Sequence, residues 1–403
     1  MLEKRKAKLE NIIGMANRKY DYLIVGAGLF GATFAKLAHS KGKRCLVLEK
    51  RGHLGGNVYC VDVDGITVHK YGPHIFHTNR EKVWTFVNSF VCFEHYTNSP
   101  VAFYKGRQYN LPFNMNTFFQ LWGTSSPEGA RKMIDSQRCN AIARLREKGV
   151  FTPRNMEEYV LSELGADLYN ILVKGYSEKQ WGRLCTSLPS SFIKRLPVRF
   201  VYDNNYFNDR WQGIPSGGYN VLVGKLLEGV EVKMDTDFLE DRAFWQRQAE
   251  CVVYTGRLDS YFNYCLGRLN YRTLHFEHQY LDMSDFQGNA VVNYTDKEIP
   301  FTRIVEHKHF CPLNVAIKRL PYTVITREYP GECMGSAEPY YPISDSLNER
   351  LAARYVELAK MQENVIFGGR LGEYKYFNMD EVIERAMNCF EKRMVRNLND
   401  EST

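Results

Sequence analysis

An α/β fold follows from three features of the 403-residue chain: a short apolar strand running into a Gly-x-Gly-x-x-Gly turn, a helix-rich middle, and alternating segments beyond residue 270. The stretch Tyr22-Leu-Ile-Val-Gly26 is almost purely apolar, as suits a parallel strand buried on both faces. Helical spacing follows from Ala32 to Ser40, then a second apolar strand, Arg44-Cys-Leu-Val-Leu48. Strand, helix, strand is the opening of a doubly wound, Rossmann-like sheet.

From Thr117 to Gly182 helical periodicity takes over, with Pro127 opening one helix and Asn155 capping the next. Residues Leu196 to Asn208 are extended and aromatic. A helix over Tyr219–Leu227 and strands at Val230–Lys233 and Cys251–Tyr254 return the chain to the first sheet. Residues 271–330 alternate, as in Tyr271-Arg-Thr-Leu-His-Phe-Glu, which predicts an antiparallel sheet. Val365–Phe367 and a helix from Met379 to Met394 close the α/β layer. The predicted organisation is therefore a basic extension over 1–20 and a discontinuous dinucleotide-binding domain over 21–97, 213–260 and 355–403. A helical domain covers 108–190, and an antiparallel sheet domain covers 98–107, 191–212 and 261–354.

Composition excludes several classes. At 44% apolar and 25% charged the chain is that of an ordinary globular protein. Residues 1–20 hold six Lys/Arg against two Glu, so they supply +4 of the formal +7; the rest carries no nucleic-acid footprint. Their apolar stretch, Ile12 to Ala16, is too short for the core of a signal peptide, and no run suits a membrane span. The ten cysteines stand singly, without metal-ligand or disulfide spacing. A cytoplasmic protein without a metal site is expected.

Gly26-x-Gly28-x-x-Gly31 lies between strand and helix, the setting that makes this motif a phosphate cradle. Gly26 permits the turn, Gly28 lets a pyrophosphate approach the backbone, and Gly31 lets helix meet sheet. The helix N-terminus adds free N–H groups and a favourable dipole. Glu49, 21 residues after Gly28, is placed to accept ribose hydroxyls. The following Arg51-Gly-His-Leu-Gly55-Gly56-Asn57 resembles the second glycine pair of folds that hold extended FAD.

Longer words follow: Tyr71-Gly-Pro-His74-Ile-Phe-His77-Thr, Lys174-Gly-Tyr176-Ser-Glu-Lys-Gln-Trp181-Gly, Lys194-Arg195-Leu-Pro-Val-Arg199-Phe and Asp203-Asn-Asn-Tyr206-Phe. Asn293, Phe301-Thr-Arg303, Glu328-Tyr329, Pro339-Tyr340-Tyr341-Pro342 and Gly369-Arg370-Leu complete the series. On these words, spread in order over residues 21 to 390, the chain resembles the UDP-galactopyranose mutase family of flavoenzymes.

The resemblance implies an isomerase that interconverts UDP-galactopyranose and UDP-galactofuranose without net redox change. The family mechanism runs through a covalent adduct between N5 of reduced FAD and the sugar, so NAD(P)H or another reductant serves activation only. It implies that Tyr176 and Trp181 sandwich the uracil, with Asn98, Ser177 and Asn293 as polar neighbours. Arg195 and Arg303 grip the pyrophosphate with Tyr206, Tyr341 and Tyr376, Arg195 from a closing segment, and Glu328 lines the sugar end. Guanidinium forks suit phosphate oxygens and offset charge on a leaving group. His77 belongs to the loop facing the flavin, and Arg370, Phe377, Asn378 and Met379 to the segment closing over it. Phe30, Lys50, His74 and Ile75 join the FAD contacts.

Two positions depart from the family pattern: Asn378 stands where Asp is usual, and Arg257 where proline is frequent. The resemblance also implies a homodimer serving galactofuranose-containing glycan synthesis. A mutase for a related sugar such as UDP-N-acetylgalactosamine, or an FAD-dependent oxidoreductase sharing the first domain, are the alternatives.

Overall fold

A computed structural model of the chain describes residues 18–190, 193, 197–311, 313–335 and 337–400, with side chains to 395. The first sheet has five strands: β1 (Tyr20–Val25), β2 (Cys45–Leu48), β10 (Glu231–Lys233), β11 (Ala249–Tyr254) and β17 (Val365–Phe367). All pair in parallel, in the order β10-β2-β1-β11-β17. Leu23, Ile24, Leu46, Val47 and Val253 have no exposed surface, which explains why these strands are continuously apolar. Helices α1 (Leu29–His39), α7 (Tyr219–Leu226) and α10 (Met379–Asp400) bring Phe34, Leu222, Val223, Ile383 and Phe390 into one core with the sheet. Chain order reverses at β1, between β2 and β11. In such sheets the crevice at the strands' carboxyl ends is the ligand position.

The second sheet has seven strands: β7 (Val101–Tyr104), β8 (Arg107–Asn110), β12 (Tyr271–Leu281), β13 (Val291–Tyr294), β14 (Arg303–Glu306), β15 (Thr323–Glu332) and β16 (Tyr341–Pro342), in the order β16-β12-β15-β14-β13-β7-β8. Five of its pairings are antiparallel, as the alternation predicts. β13 and β7 instead run parallel, joining segments some 190 residues apart, a pairing no local pattern encodes. Two small sheets complete the strand set. β3 (Cys60–Val63) pairs with β4 (Ile66–His69), and β9 (Trp211–Pro215) lies between β5 (Phe76–Thr78) and β6 (Phe93–His95).

The helices expected between Thr117 and Gly182 are present as α3 (Met115–Trp122), α4 (Pro127–Glu147), α5 (Met156–Leu164) and α6 (Lys174–Trp181), while α2 (Glu81–Asn88), α8 (Arg242–Arg247) and α9 (Ser346–Lys360) are additional helices beyond those the sequence predicts. Asn155 caps α5 by accepting from the Glu158 N–H at 2.9 Å. A π-type turn, Tyr169–Val173, leads into α6; such widened turns expose backbone groups and recur at functional sites. Strand β1 starts at Tyr20, two residues ahead of the apolar run at Tyr22. Among the described residues no helix is long and apolar enough to cross a membrane.

Candidate functional site

A cavity of about 430 Å³ runs along the carboxyl ends of β1, β2 and β11, lined by Gly26, Gly28, Phe30, Glu49, Lys50, Gly55, Gly56 and Asn57 from the sequence-predicted set. Gly26 has φ +103°, and a Cβ there would lie 2.2 Å from Thr255 Oγ1. Gly31 lies behind the cavity wall. Its Cβ would fall 2.0 Å from the Gly26 carbonyl oxygen, so its part is the close helix–sheet approach rather than contact with a ligand. The two glycine loops touch, a Cβ on Gly56 falling 3.2 Å from Gly28 Cα. At the start of α1 no side chain caps the helix and no acid sits in its first turn, leaving its N–H groups and dipole for an anion.

The Glu49 carboxylate accepts from Ala27 N–H at 2.8 Å and Arg51 N–H at 3.0 Å, tying the glycine loops together. Asp237, Phe238, Arg257 and Glu338 complete the walls without any local motif to announce them. Glu338 bridges Lys50 at 2.6 Å and Arg51 at 3.2 Å across nearly 290 residues of chain. A glycine-lined slot with a free helix terminus and hydroxyl acceptors fits a dinucleotide such as FAD.

A second cavity, about 620 Å³, is lined by Ile75, His77, Asn98, Tyr176, Ser177, Trp181, Tyr206, Asn293, Arg303, Tyr341, Tyr376 and Asn378 of the predicted set. Strand register explains part of this. Asn293 pairs with Arg303, and Arg303 with Glu328, so the three form one row across β13, β14 and β15. Arg303 Nε lies 3.2 Å from Glu328 Oε2, and an Nη2 proton is donated to the Tyr176 hydroxyl at 2.5 Å. Burial works against the Arg303 charge, but Tyr176, Glu328 and Tyr341 hold it, so its pKa stays above the ordinary value.

Glu328 departs from expectation. It is 2% exposed and stands behind Arg303 instead of on the cavity wall. Burial raises its pKa, and the Arg303 charge only partly opposes this. Phe377 departs too: its ring packs on the Arg385 guanidinium at 4.4 Å, and its carbonyl, not its ring, serves the site by accepting from Arg370 Nε at 2.6 Å. Arg195 lies outside the described residues.

The buried amide oxygens of Asn98 and Asn293 have no hydrogen-bond partner among the described residues. Two desolvated acceptors on one cavity wall fit a ligand that brings its own donors. His77 donates from Nδ1 to Asp209 Oδ2 at 2.5 Å and stacks on Phe207 at 3.8 Å. Asp209 and Phe207 both line the cavity, yet neither belongs to the predicted set. Arg199 holds their loop by bonding Asp203 at 2.9 Å and the Phe207 carbonyl at 3.3 Å.

The two cavities meet. His74, Arg370 and Met379 line both, at the start of α10. His74 is lowered to about 4, first by burial and then by the Arg370 charge, so it is neutral near pH 7. It contacts the Gly72 carbonyl through Nδ1 at 2.8 Å, which as the donor leaves Nε2 as an acceptor. Arg370 stacks over Tyr376 at 4.7 Å. The arginine and the N-terminus of α10 both favour negative charge at this junction.

A glycine-lined slot at the end of a Rossmann-like sheet, opening into an arginine-bearing, ring-lined chamber, is the architecture of an α/β enzyme. The comparisons give the family. The UDP-galactopyranose mutase model matches residues 171–376, and a NAD(P)-binding Rossmann-like domain model matches residues 24–90. The chain is 38% identical over 375 residues to a dTDP-fucopyranose mutase of Escherichia coli, covering 91% of this chain and 96% of that one. It is likewise 38% identical over 373 residues to a probable UDP-galactopyranose mutase of Klebsiella pneumoniae, covering 91% and 93%. The chain belongs to the UDP-galactopyranose mutase family. A crystal structure of a reduced UDP-galactopyranose mutase shares its fold, with TM-score 0.71 at 14% identity over 93% of this chain and 95% of that one.

Proposed function

We propose that the protein interconverts UDP-galactopyranose and UDP-galactofuranose with no net redox change, using FAD held in its reduced form. The observation that carries this reading is the junction at His74, Arg370 and Met379, where a dinucleotide's far end meets the chamber bearing Arg303. Gly26, Gly28, Gly55, Gly56 and Glu49 would hold the cofactor's pyrophosphate and ribose, and the Arg370–Met379 segment its ring end. When bound and reduced, FAD supplies an electron-rich, nucleophilic ring at the sugar's anomeric carbon.

The chain's own residues supply the rest. Arg303, fixed between Glu328 and Tyr176, offsets negative charge as the diphosphate leaves. Arg195 is assigned the same task by the family resemblance alone, and the Tyr206, Tyr341 and Tyr376 hydroxyls line the same chamber as Arg303. Tyr176 and Trp181 offer rings to the base, and Asn98 and Asn293 offer acceptors. His77, oriented by Asp209 and Phe207, holds a fixed imidazole in the chamber wall. Confining the sugar beside the ring system converts a two-body encounter into a local one. NAD(P)H or another reductant would serve activation only. A cytoplasmic homodimer supplying galactofuranose for glycans completes the proposal.

A dTDP-6-deoxyhexose is the second reading. The E. coli relative with the dTDP-fucopyranose name matches as well as the K. pneumoniae one. Leu111, Phe113, Met156, Leu172 and Val173 give the chamber an apolar lobe able to take a base methyl. The experiment reduces the protein anaerobically with dithionite and presents UDP-galactofuranose and dTDP-fucofuranose separately, with products resolved by chromatography. The first reading expects higher kcat/KM with the UDP sugar; a preference for the dTDP sugar would replace it with the second.

A further inference from the structure

Lys179 is the one lysine of α6's second turn, and its ammonium group sits in a cage of backbone oxygens. Nζ donates to the carbonyls of Tyr294, Asp296, Ile299 and Phe301 at 2.7, 2.8, 2.9 and 2.9 Å. An ammonium has three protons, so four acceptors form a solvation shell rather than a set of paired bonds. Among the described residues Lys179 forms no ion pair. Burial lowers it to about 8 against the opposing charge of Asp296.

All four carbonyls belong to the end of β13, the β13–β14 turn, and the residues just before β14. That turn docks on α6 at a second point: a Cβ on Gly175 would lie 2.2 Å from the Thr295 carbonyl oxygen, so helix and turn touch backbone to backbone. Gly175 and Lys179 are four residues apart and share one helix face. Tyr176, Ser177 and Trp181 line the chamber from α6, while Asn293 and Arg303 line it from the strands either side of the turn. The cage therefore joins the two walls between which a nucleotide would lie.

We propose that Lys179 is a positioning residue whose ammonium takes the place of a structural monovalent cation, clamping the 295–302 turn onto α6 and setting the spacing of the two walls of the nucleotide chamber. The claim about spacing rests on the nucleotide reading above; the claim about the cage does not. Carbonyl shells of this kind replace the hydration of potassium-sized ions. Removing the side chain while keeping the backbone then leaves a cation site.

The test is Lys179→Ala in choline buffer, with potassium, ammonium or lithium chloride added. FAD content by absorbance, UDP affinity by titration and melting temperature are each measured. The expected variant retains FAD, binds UDP at least about tenfold more weakly, equivalent to about 1.4 kcal/mol, and recovers both UDP affinity and melting temperature with potassium or ammonium but not lithium. UDP affinity equal to the parent's, or a loss indifferent to every cation, would overturn the proposal. Should Lys179→Ala lose FAD, Lys179→Met replaces it; that variant keeps the aliphatic stem without charge or N–H donors, and parent-like UDP binding in it would equally overturn the clamp. A parent protein that binds no UDP would defeat the nucleotide reading alone, because the melting response to cations still decides the cage.

Discussion

Replacing Arg303 by Met keeps much of the side chain's apolar volume but removes the guanidinium beside Glu328. That carboxylate's side chain is 3% exposed and lies 3.2 Å from Arg303 Nε. Stripping one partner from a buried pair costs about 3–5 kcal/mol, or roughly 6–10 °C in melting temperature at roughly 2 °C per kcal/mol for a large domain. The loss has a pH signature. Burial already raises Glu328 above its ordinary 4.5, and without Arg303 it rises further. Above that unfolded value the unfolded chain releases the proton while the folded protein retains it. Stability is therefore full below the unfolded pKa and falls as pH rises toward the folded one. The gap between Arg303→Met and parent should be narrow near pH 5 and wide near pH 8. Adding Glu328→Gln should close most of it without restoring UDP binding. Thermal melts at three pH values with parallel UDP titrations measure this; a gap independent of pH, or no recovery in the double variant, would mean that the unpaired Glu328 is not the source of the loss.

Three further predictions concern other parts of the molecule. Gly31→Ala should purify with little FAD, read from flavin absorbance, since its Cβ would sit 2.0 Å from the Gly26 carbonyl oxygen; full occupancy would contradict that approach. Trp181→Ala should weaken UDP by about 1–3 kcal/mol, the worth of one base–ring stack, while FAD stays bound; unchanged affinity in a fluorescence titration would remove the ring from the base site. Acid should destabilise the fold from pH 6.5 downward. Burial lowers His69 to about 3 and His74 to about 4, so below 6.5 the unfolded chain takes up protons the folded one refuses. Each ring then contributes about 1.4 kcal/mol per pH unit, and a flat melting profile from pH 6.5 to 4 would count against it.

The cofactor side was legible because its signals are local. Gly26, Gly28, Gly31 and Glu49 span one strand–helix–strand unit, and burial on both faces writes that unit as apolar runs. The chamber was legible only through family words, and register decided their final places. Asn293, Arg303 and Glu328 are spread over 35 residues, and pairing puts them in one row with Glu328 behind rather than in front. Asp209 meets His77 over a separation of 132 residues, and nothing near Asn208-Asp209-Arg210 signals it. The sheet that carries His77 has two three-residue strands, too short to display a period of two. Phe377 contributes through its carbonyl, which side-chain reasoning does not see.

In the proposed reaction, electrons held at the junction of the two cavities are used without being consumed. Counting sugar turnovers per reducing equivalent tests it most directly, with substoichiometric dithionite, no oxygen and an excess of UDP-galactofuranose. Many pyranose molecules formed for each electron pair, and none on the oxidised protein, is the predicted outcome. Product equal to the reductant supplied, or equal rates on oxidised and reduced protein, would contradict it.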